Sequence, residues 1–570
     1  MKKSISIFAI AIVALSLSSC KSKDKKVEQK SEAQMEKEYI GTLAAAEKYT
    51  PKSDVNLADK VKNFAVVKLT SDINHLSAKE KEMLSYLFDA AQIMDDIYWM
   101  QTLGQKDAFL SKISDETLKR FAQINYGPWE RLGGNKSFIN EIGEKPAGAN
   151  FYPADITKEE FEKLADSNKT SLYTLIRRNE DKSLRVVWYH DAYADQIQQA
   201  AELLKKAAGV SENADFKKYL ELRAEALLTD KYFESDIAWM NVKNSNIDFV
   251  IGPIENYEDA LFGYKAAAEA FILIKDLEWS KKLARFAALL PQLQKAIPTD
   301  EAFKKEIPGL DSDMGVYDAV FYAGDCNAGS KTIAINLPND EKVQLQKGTR
   351  KLQLKNSMKA KFDNMVMPIS NILISEAQRK YIKFDAFFEN VMFHEVAHGL
   401  GIKNTINGKG TVREALKEQF SGIEEGKADI MGLWLVSKLY DMKELSAGEV
   451  NNNYVTFVSG IFRSIRFGAA SAHGKANLAC YNFLVEKQAI KFNEKDQTYT
   501  IDFNNMKKAV AELVNKVMTL EATGDYEGTK KWIEGATIGT QLQKDLDRIK
   551  NANIPVDIVF EKGKANLGLK

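Results

Sequence analysis

The sequence predicts an α+β protein, mostly helical with a small β-sheet or barrel. Two observations carry this. Apolar residues recur at three- and four-residue spacing over long stretches, whereas strand-like apolar runs are few and short. Hydrophobic residues make up 45% and charged residues 28% of the 570-residue chain, an ordinary globular balance with enough length for more than one core.

The elements follow in chain order. Lys2-Lys3, the apolar run from Ile5 to Leu17 and the ending Leu17-Ser18-Ser19-Cys20 have the outline of a secretory signal segment over residues 1–20. The run is short for a transmembrane helix. Its ending resembles a bacterial lipobox with Cys20 as the lipidated residue. That implies a lipid anchor to the membrane in the bacterial cell envelope, on a periplasmic or outer-surface face. Residues 21–38 are charged, lack aromatic side chains and read as a solvated tether. Globular sequence starts near Tyr39. Helical periodicity marks Ala78 to Trp99, Asp195 to Ala207, Phe216 to Leu228, Ala260 to Leu290 and Met506 to Leu520. Strand-like runs are Leu184 to Tyr189, Lys331 to Leu337, Thr498 to Phe503 and Val556 to Phe560. Gly324 to Ser330 and Asn339 to Lys342 are rich in turn formers.

Composition narrows the function. Lys plus Arg and Asp plus Glu number 79 each, so charge points to no nucleic acid partner. Only Cys326 and Cys480 follow Cys20, too few for a disulfide scaffold or a cysteine zinc site. Whether they pair is open at this level. The sequence has no phosphate-binding glycine loop and no GxSxG elbow.

The chemistry concentrates in FHEVAHGLGIKN, Phe393 to Asn404. His394 and His398 are four apart, so on a helix both imidazoles reach one ion. Glu395 lies about 100° round the helix, within reach of a water on that ion. Two of only five histidines fall in this pentapeptide; His75 and His190 lack such support and read as structural. Two histidines leave a zinc site one ligand short. One extended motif ends in a third histidine, but that position holds Asn404. A carboxylate from a later helix is the other solution. Glu424-Glu425-Gly426-Lys427-Ala428-Asp429 lies 27 residues on, measured from His398 to Glu425, and runs into the apolar stretch Ile430 to Leu439. Glu425 is the expected third ligand of one Zn2+ ion. Glu424 and Asp429 are expected to accept the ligand imidazole N–H groups.

These residues resemble the dipeptidyl peptidase III family of zinc peptidases, which pairs HExxGH with a later EExRAE/D. Here the motifs read HEVAH and EEGKAD, without the extra residue and with Lys427 for Arg. The chain is more similar to the branch found in bacteria and fused to Nudix domains in plants. Three further segments agree in order. GPIENYEDALFG carries Tyr257, which the resemblance places against the reacting carbonyl. AINLPND carries Asn336 and Asn339, which it places on the peptide backbone. SAHGKANL carries His473, which it makes catalytic, while the arginine usual four residues later is Asn477.

The resemblance implies two lobes around a wide cleft. Residues 39–355 would form a mixed first lobe and 356–550 a helical zinc-binding lobe, with a strand in 551–570 returning to the first. It also implies dipeptide release from short peptides, with Glu395 as general base on a zinc-bound water and Tyr257 and His473 stabilising the oxyanion. A non-catalytic zinc-stabilised peptide-binding lipoprotein and a zinc hydrolase of another amide or ester share the metal motif and remain as alternatives.

Overall fold

The computed structural model describes residues 46–306, 312–445, 448–466, 468–469 and 471–569. The signal segment, Cys20 and the tether lie outside the described residues.

The first lobe opens with β1 (Phe64–Lys68) and the long helix α1 (Ala78–Thr102). Ser77 starts α1 with a capping box: its hydroxyl accepts from the Glu80 N–H while the Glu80 carboxylate accepts from the Ser77 N–H. The lobe's main sheet comprises β2 (Ile247–Glu255), β3 (Ala267–Lys275), β4 (Ser312–Gly324), β5 (Ala334–Leu337) and β6 (Thr349–Leu354), in the order β2-β3-β4-β6-β5. The β4–β6 pair is parallel and the others antiparallel. The sheet curls: Asn339, just past edge strand β5, donates its side-chain amide to the Ile254 carbonyl of the opposite edge strand β2 at 3.1 Å.

One expectation fails here. Ala260 to Leu290 is not a single helix. Ala267–Lys275 is the strand β3, buried on both faces, and helix α2 (Leu277–Ala296) begins only after Asp276 caps it by accepting from the Trp279 N–H. A strand buried on both sides is an unbroken apolar run, and spacing alone does not separate it from a buried helix.

The second lobe is built from α3 (Phe384–Ala397), α4 (Phe420–Asp441), α5 (Val450–Ile465), α6 (Ala472–Glu486) and α7 (Phe503–Thr523). Each lobe has its own apolar core. Helix α2 joins the second core although its neighbours in sequence belong to the first: Trp279 packs edge-on to Phe388 and Phe286 packs on Phe393. At the other end of the chain β7 (Asp557–Glu561) pairs in parallel with β1, so the chain closes back on the first lobe. Cys326 and Cys480 sit in different cores as free, buried thiols. Among the described residues no helix is long and apolar enough to cross a membrane.

Two details set the zinc-motif helix α3 in place. First, α4 crosses it at Gly432. A Cβ there would lie 2.7 Å from the His394 backbone nitrogen and 2.9 Å from the Phe393 carbonyl carbon. Only glycine lets the two backbones touch. Second, Glu389 of α3 is buried and accepts from the Asn453 amide of α5 at 2.8 Å. Burial outweighs that bond and pushes its carboxyl up to about 7.

Gly432→Ala is therefore expected to destabilise the fold by about 1–3 kcal/mol, as overpacking does. It should also lower metal content, because the clash falls on His394; calorimetry and metal analysis check both. Glu389 gives a pH signature. Folded, it keeps a proton that the unfolded chain releases near pH 4.5, so stability falls as pH rises from about 4.5 to about 7. The span is on the order of 3 kcal/mol. Chemical denaturation across this range should show the slope, and Glu389→Gln should remove that share of it.

Candidate metal centre

Helix α3 delivers the two histidines as its spacing requires. His398 is the C-cap residue but keeps helical backbone, its N–H reaching the His394 carbonyl at 3.3 Å. Gly401 then takes a left-handed φ of 88° that turns the chain away. The Nε2 atoms of His394 and His398 lie 3.2 Å apart. Glu425 of α4 brings Oε2 to 3.3 Å from the first and 3.8 Å from the second. Three donors around a zinc ion with bonds of about 2.0–2.1 Å would sit roughly 3.3 Å apart, so the spacing fits.

The outer nitrogens fix which ring atoms face the cluster. His394 Nδ1 lies 2.7 Å from Asp429 Oδ1, and His398 Nδ1 lies 2.8 Å from Glu424 Oε1. A carboxylate accepts, so each Nδ1 carries a proton. In neutral rings, both Nε2 atoms then present lone pairs to each other. Glu425 Oε2 is buried among histidine nitrogens yet makes a well-aligned hydrogen bond to none of them. Two imidazole lone pairs and one orphaned carboxylate oxygen facing a common point form a donor set suited to zinc.

The electrostatics agree. Burial opposes a charged His394 ring, but Asp429 and then Glu425 and Glu395 outweigh it and hold its pKa at about 10. Burial also opposes the Glu425 carboxylate, yet His394 and His473 hold it well below the usual range. Glu424 is likewise opposed by burial and brought to about 2, chiefly by Lys427 and then by His398. The cluster attracts positive charge.

His473 approaches from the start of α6, where Ser471 caps the helix by accepting from the Gly474 N–H. Its Nδ1 is 3.0 Å from Glu425 Oε2, and its side chain is 61% exposed. His394, Glu425 and His473 also fall within metal-ligand distance of one another. The candidate ligand set remains His394, His398 and Glu425. Both helix histidines are oriented by carboxylates on their far side; among the described residues the only carboxylate on the His473 ring is Glu425 itself, and that side chain is the more exposed.

Departures from the expected motifs have structural roles. Asn477 donates to Asp429 Oδ2 at 2.9 Å and to the His473 carbonyl at 2.9 Å, so it steadies the carboxylate that steadies His394. Lys427 is fully buried and donates to Glu424 Oε2 at 2.8 Å. Asn404 faces away, its backbone N–H and side-chain amide both donating to Glu306 Oε1.

The cluster opens onto a cavity of 1100 Å³ between the lobes, lined by His394, Glu395, His473 and, across from them, Thr332 to Ala334 at edge strand β5. Three expected site residues stand apart from the metal cluster. Tyr257, 79% exposed, lies on the loop after β2; Asn336 and Asn339 are exposed at β5. A cross-lobe contact still links the sets. Asn336 is directly opposite Lys351 in the β5–β6 ladder, and Lys351 donates to the Glu395 carbonyl at 2.8 Å with Glu395 Oε2 3.9 Å away. Sequence reading singled out neither Lys351 nor Glu255. Glu255 ends β2 beside Tyr257, and burial raises its carboxyl while Asn339 offsets part of the rise. Lys351 belongs to no quoted motif, and Glu255 lies two residues before Tyr257 in GPIENYEDALFG; the folded sheet brings both forward.

Comparison with known proteins follows the same lines. The profile of peptidase family M49 matches residues 154–413. The chain is similar to Nudix hydrolase 3 of Arabidopsis thaliana, at 33% identity over 89% of this chain and 74% of that protein. It is 26% identical to dipeptidyl peptidase 3 of Homo sapiens over 37% of this chain and 28% of that one. Among solved structures, DPP III from Caldithrix abyssi superposes with a TM-score of 0.84 at 39% identity, covering 88% of this chain and 98% of its own. Dipeptidyl-peptidase III from Corallococcus sp. strain EGB gives 0.73 at 36%, covering 89% and 96%.

Asp429→Ala should lower zinc affinity by about ten- to a hundredfold, as loss of an outer hydrogen bond to a ligand does. Asn477→Ala acts one step further out and should cost less. Competition with a chromogenic chelator reads both; equal affinity in Asp429→Ala and the parent would contradict the assignment.

Proposed function

The chain belongs to peptidase family M49, and on that premise we propose that it is a zinc-dependent peptidase releasing dipeptides from the free N-terminus of short peptides. The observation that carries this reading is the donor cluster of His394, His398 and Glu425 with Glu395 beside it, opening onto a cavity bounded by a sheet edge.

A zinc ion held by these three residues would supply Lewis acidity toward a peptide carbonyl and make water acidic enough to lose a proton near neutral pH. Glu395, next to His394, lines the same cavity. It takes the proton of the attacking water and later delivers it to the leaving amine. The Lys351 ammonium stands 3.9 Å from its carboxylate. His473 and Tyr257 donate hydrogen bonds to the oxyanion as it develops. His473 already stands at the cluster, whereas Tyr257 arrives when the lobes close on substrate.

Selection of a free N-terminus falls to Glu255 and Asn339, a carboxylate and an amide at the joined ends of β2 and β5. An ammonium there gains a charged partner. Asn336 and the outer edge of β5 receive the peptide backbone, as an exposed strand receives an added one.

A panel of matched short peptides with free or acetylated N-termini tests this reading. Cleavage of the unblocked members only, two residues in, is expected. Cleavage of blocked peptides refutes dipeptide release, and cleavage of esters or other amides alone points to a different hydrolase. Glu395→Gln should retain zinc and lose about 10²- to 10⁴-fold in kcat; retained zinc with unchanged hydrolysis removes Glu395 from the role of base.

A further inference from the structure

The cavity has an end that the reaction does not use. Arg463 on the last turn of α5, Arg466 just beyond it, Lys331 and Lys361 all line the cavity there. Among the described lining residues, the carboxylate set into this group is Asp557 of β7. Its oxygens are already occupied. Oδ2 accepts from the Lys331 N–H at 3.0 Å and from Lys361 Nζ at 3.2 Å; Oδ1 accepts from the Ile558 N–H at 2.8 Å and lies 3.1 Å from Lys361 Nζ.

Two of the other cations bond backbone carbonyls. Arg466 donates to the Pro555 and Ile554 carbonyls at 2.9 and 2.7 Å. Lys331 Nζ donates to the carbonyls of Asn327 and Gly329. Arg463 Nε is buried and has no hydrogen-bond partner. Burial first and the charge of Arg463 second pull Arg466 down to about 10. Four cations thus line the cavity around Asp557, whose oxygens are occupied, and the buried Arg463 Nε has no hydrogen-bond partner. That arrangement is costly unless an anion joins it.

Strand direction says which anion. Asn339, with Glu255 the proposed seat of the peptide N-terminus, follows β5; Lys331 precedes β5. A peptide lying antiparallel along this edge therefore runs its C-terminal end toward Lys331 and the arginines. From Lys331 to Asn339 is a span that an extended peptide of roughly eight residues would fill, at about 3.3 Å per residue.

We propose that Arg463, supported by Arg466, receives the C-terminal carboxylate of the substrate, which makes short peptides with a free C-terminus the preferred class. This rests on the peptidase reading above for its substrate. A guanidinium suits a planar carboxylate in two-point contact.

Binding separates the two claims. Zinc-loaded Glu395→Gln protein, and the same protein also carrying Arg463→Met, are titrated with matched octapeptides as free acids and C-terminal amides. The free acid is expected to bind about tenfold tighter than the amide, in line with a hydrogen-bonded charge pair. Arg463→Met should bring the acid to the affinity of the amide, and Arg463→Lys should restore part of the preference. Thermal melting confirms that each variant is folded. Equal binding of acid and amide by the unsubstituted Arg463 protein overturns the carboxylate site. So does equal weakening of both peptides by Arg463→Met, the mark of a structural role. A preference in binding without turnover by the chain bearing Glu395 overturns the peptidase reading and leaves the carboxylate site standing.

Discussion

The backbone contact between α3 and α4 is the constraint on which the site depends. Glycine at position 432 lets α4 lie against the main chain at Phe393 and His394. That approach aligns the second acidic motif with the first histidine motif over two turns. Asp429 then meets His394, Glu424 meets His398, and Glu425 points between them. Any larger residue would separate the helices and all three contacts together. The two motifs are therefore one structural unit, although 27 residues separate His398 from Glu425 in sequence.

Charge balance follows from the same crossing. Glu424, Glu425, Asp429 and Glu395 bring four carboxylates to one small region. The protein answers them with fixed partners: Lys427 on Glu424, Asn477 on Asp429, Lys351 near Glu395. The inner oxygen of Glu425 meets histidine nitrogens alone, with His473 Nδ1 at 3.0 Å on its open side. That oxygen is the one directed at both helix histidines. Fixing the neighbouring carboxylates orients each imidazole before a cation arrives, which removes reorientation from the cost of binding.

Much of this was legible in the sequence, for reasons that can be named. The i, i+4 histidines are a local pattern, and helix geometry alone makes them converge. The search for a later carboxylate followed from the absence of a third histidine at Asn404, whose side chain binds Glu306, and the fold brings Glu425 Oε2 to 3.3 and 3.8 Å from the two histidines. Four of the five periodic stretches match helices within a few residues. Non-local features were not legible. Strand β3 looks like a helix because burial on both faces removes the alternation that identifies a strand. Lys351 and Glu255 gain their positions from sheet pairing and strand ends, which leave no spacing signature. Asn477 and Lys427 differ from the residues usual in the resembling motifs; their compensating hydrogen bonds exist only in three dimensions.

The connection between the lobes suggests how such a site can both open and hold its substrate. The lobes are tied at one end, where β7 pairs with β1, Asp557 bonds Lys361 and Lys331, and Arg466 grips the carbonyls leading into β7. At the other end, Tyr257, Asn336 and Asn339 are exposed. Closure about the tied end would move the residues that seat a peptide's N-terminus the most and the arginine end the least. Lys351, a long side chain bonded to a backbone carbonyl of α3, can follow such a motion without breaking contact. A peptide anchored first at the fixed end would then be captured along its length as the free end closes. This order places recognition of the carboxylate before assembly of the catalytic groups.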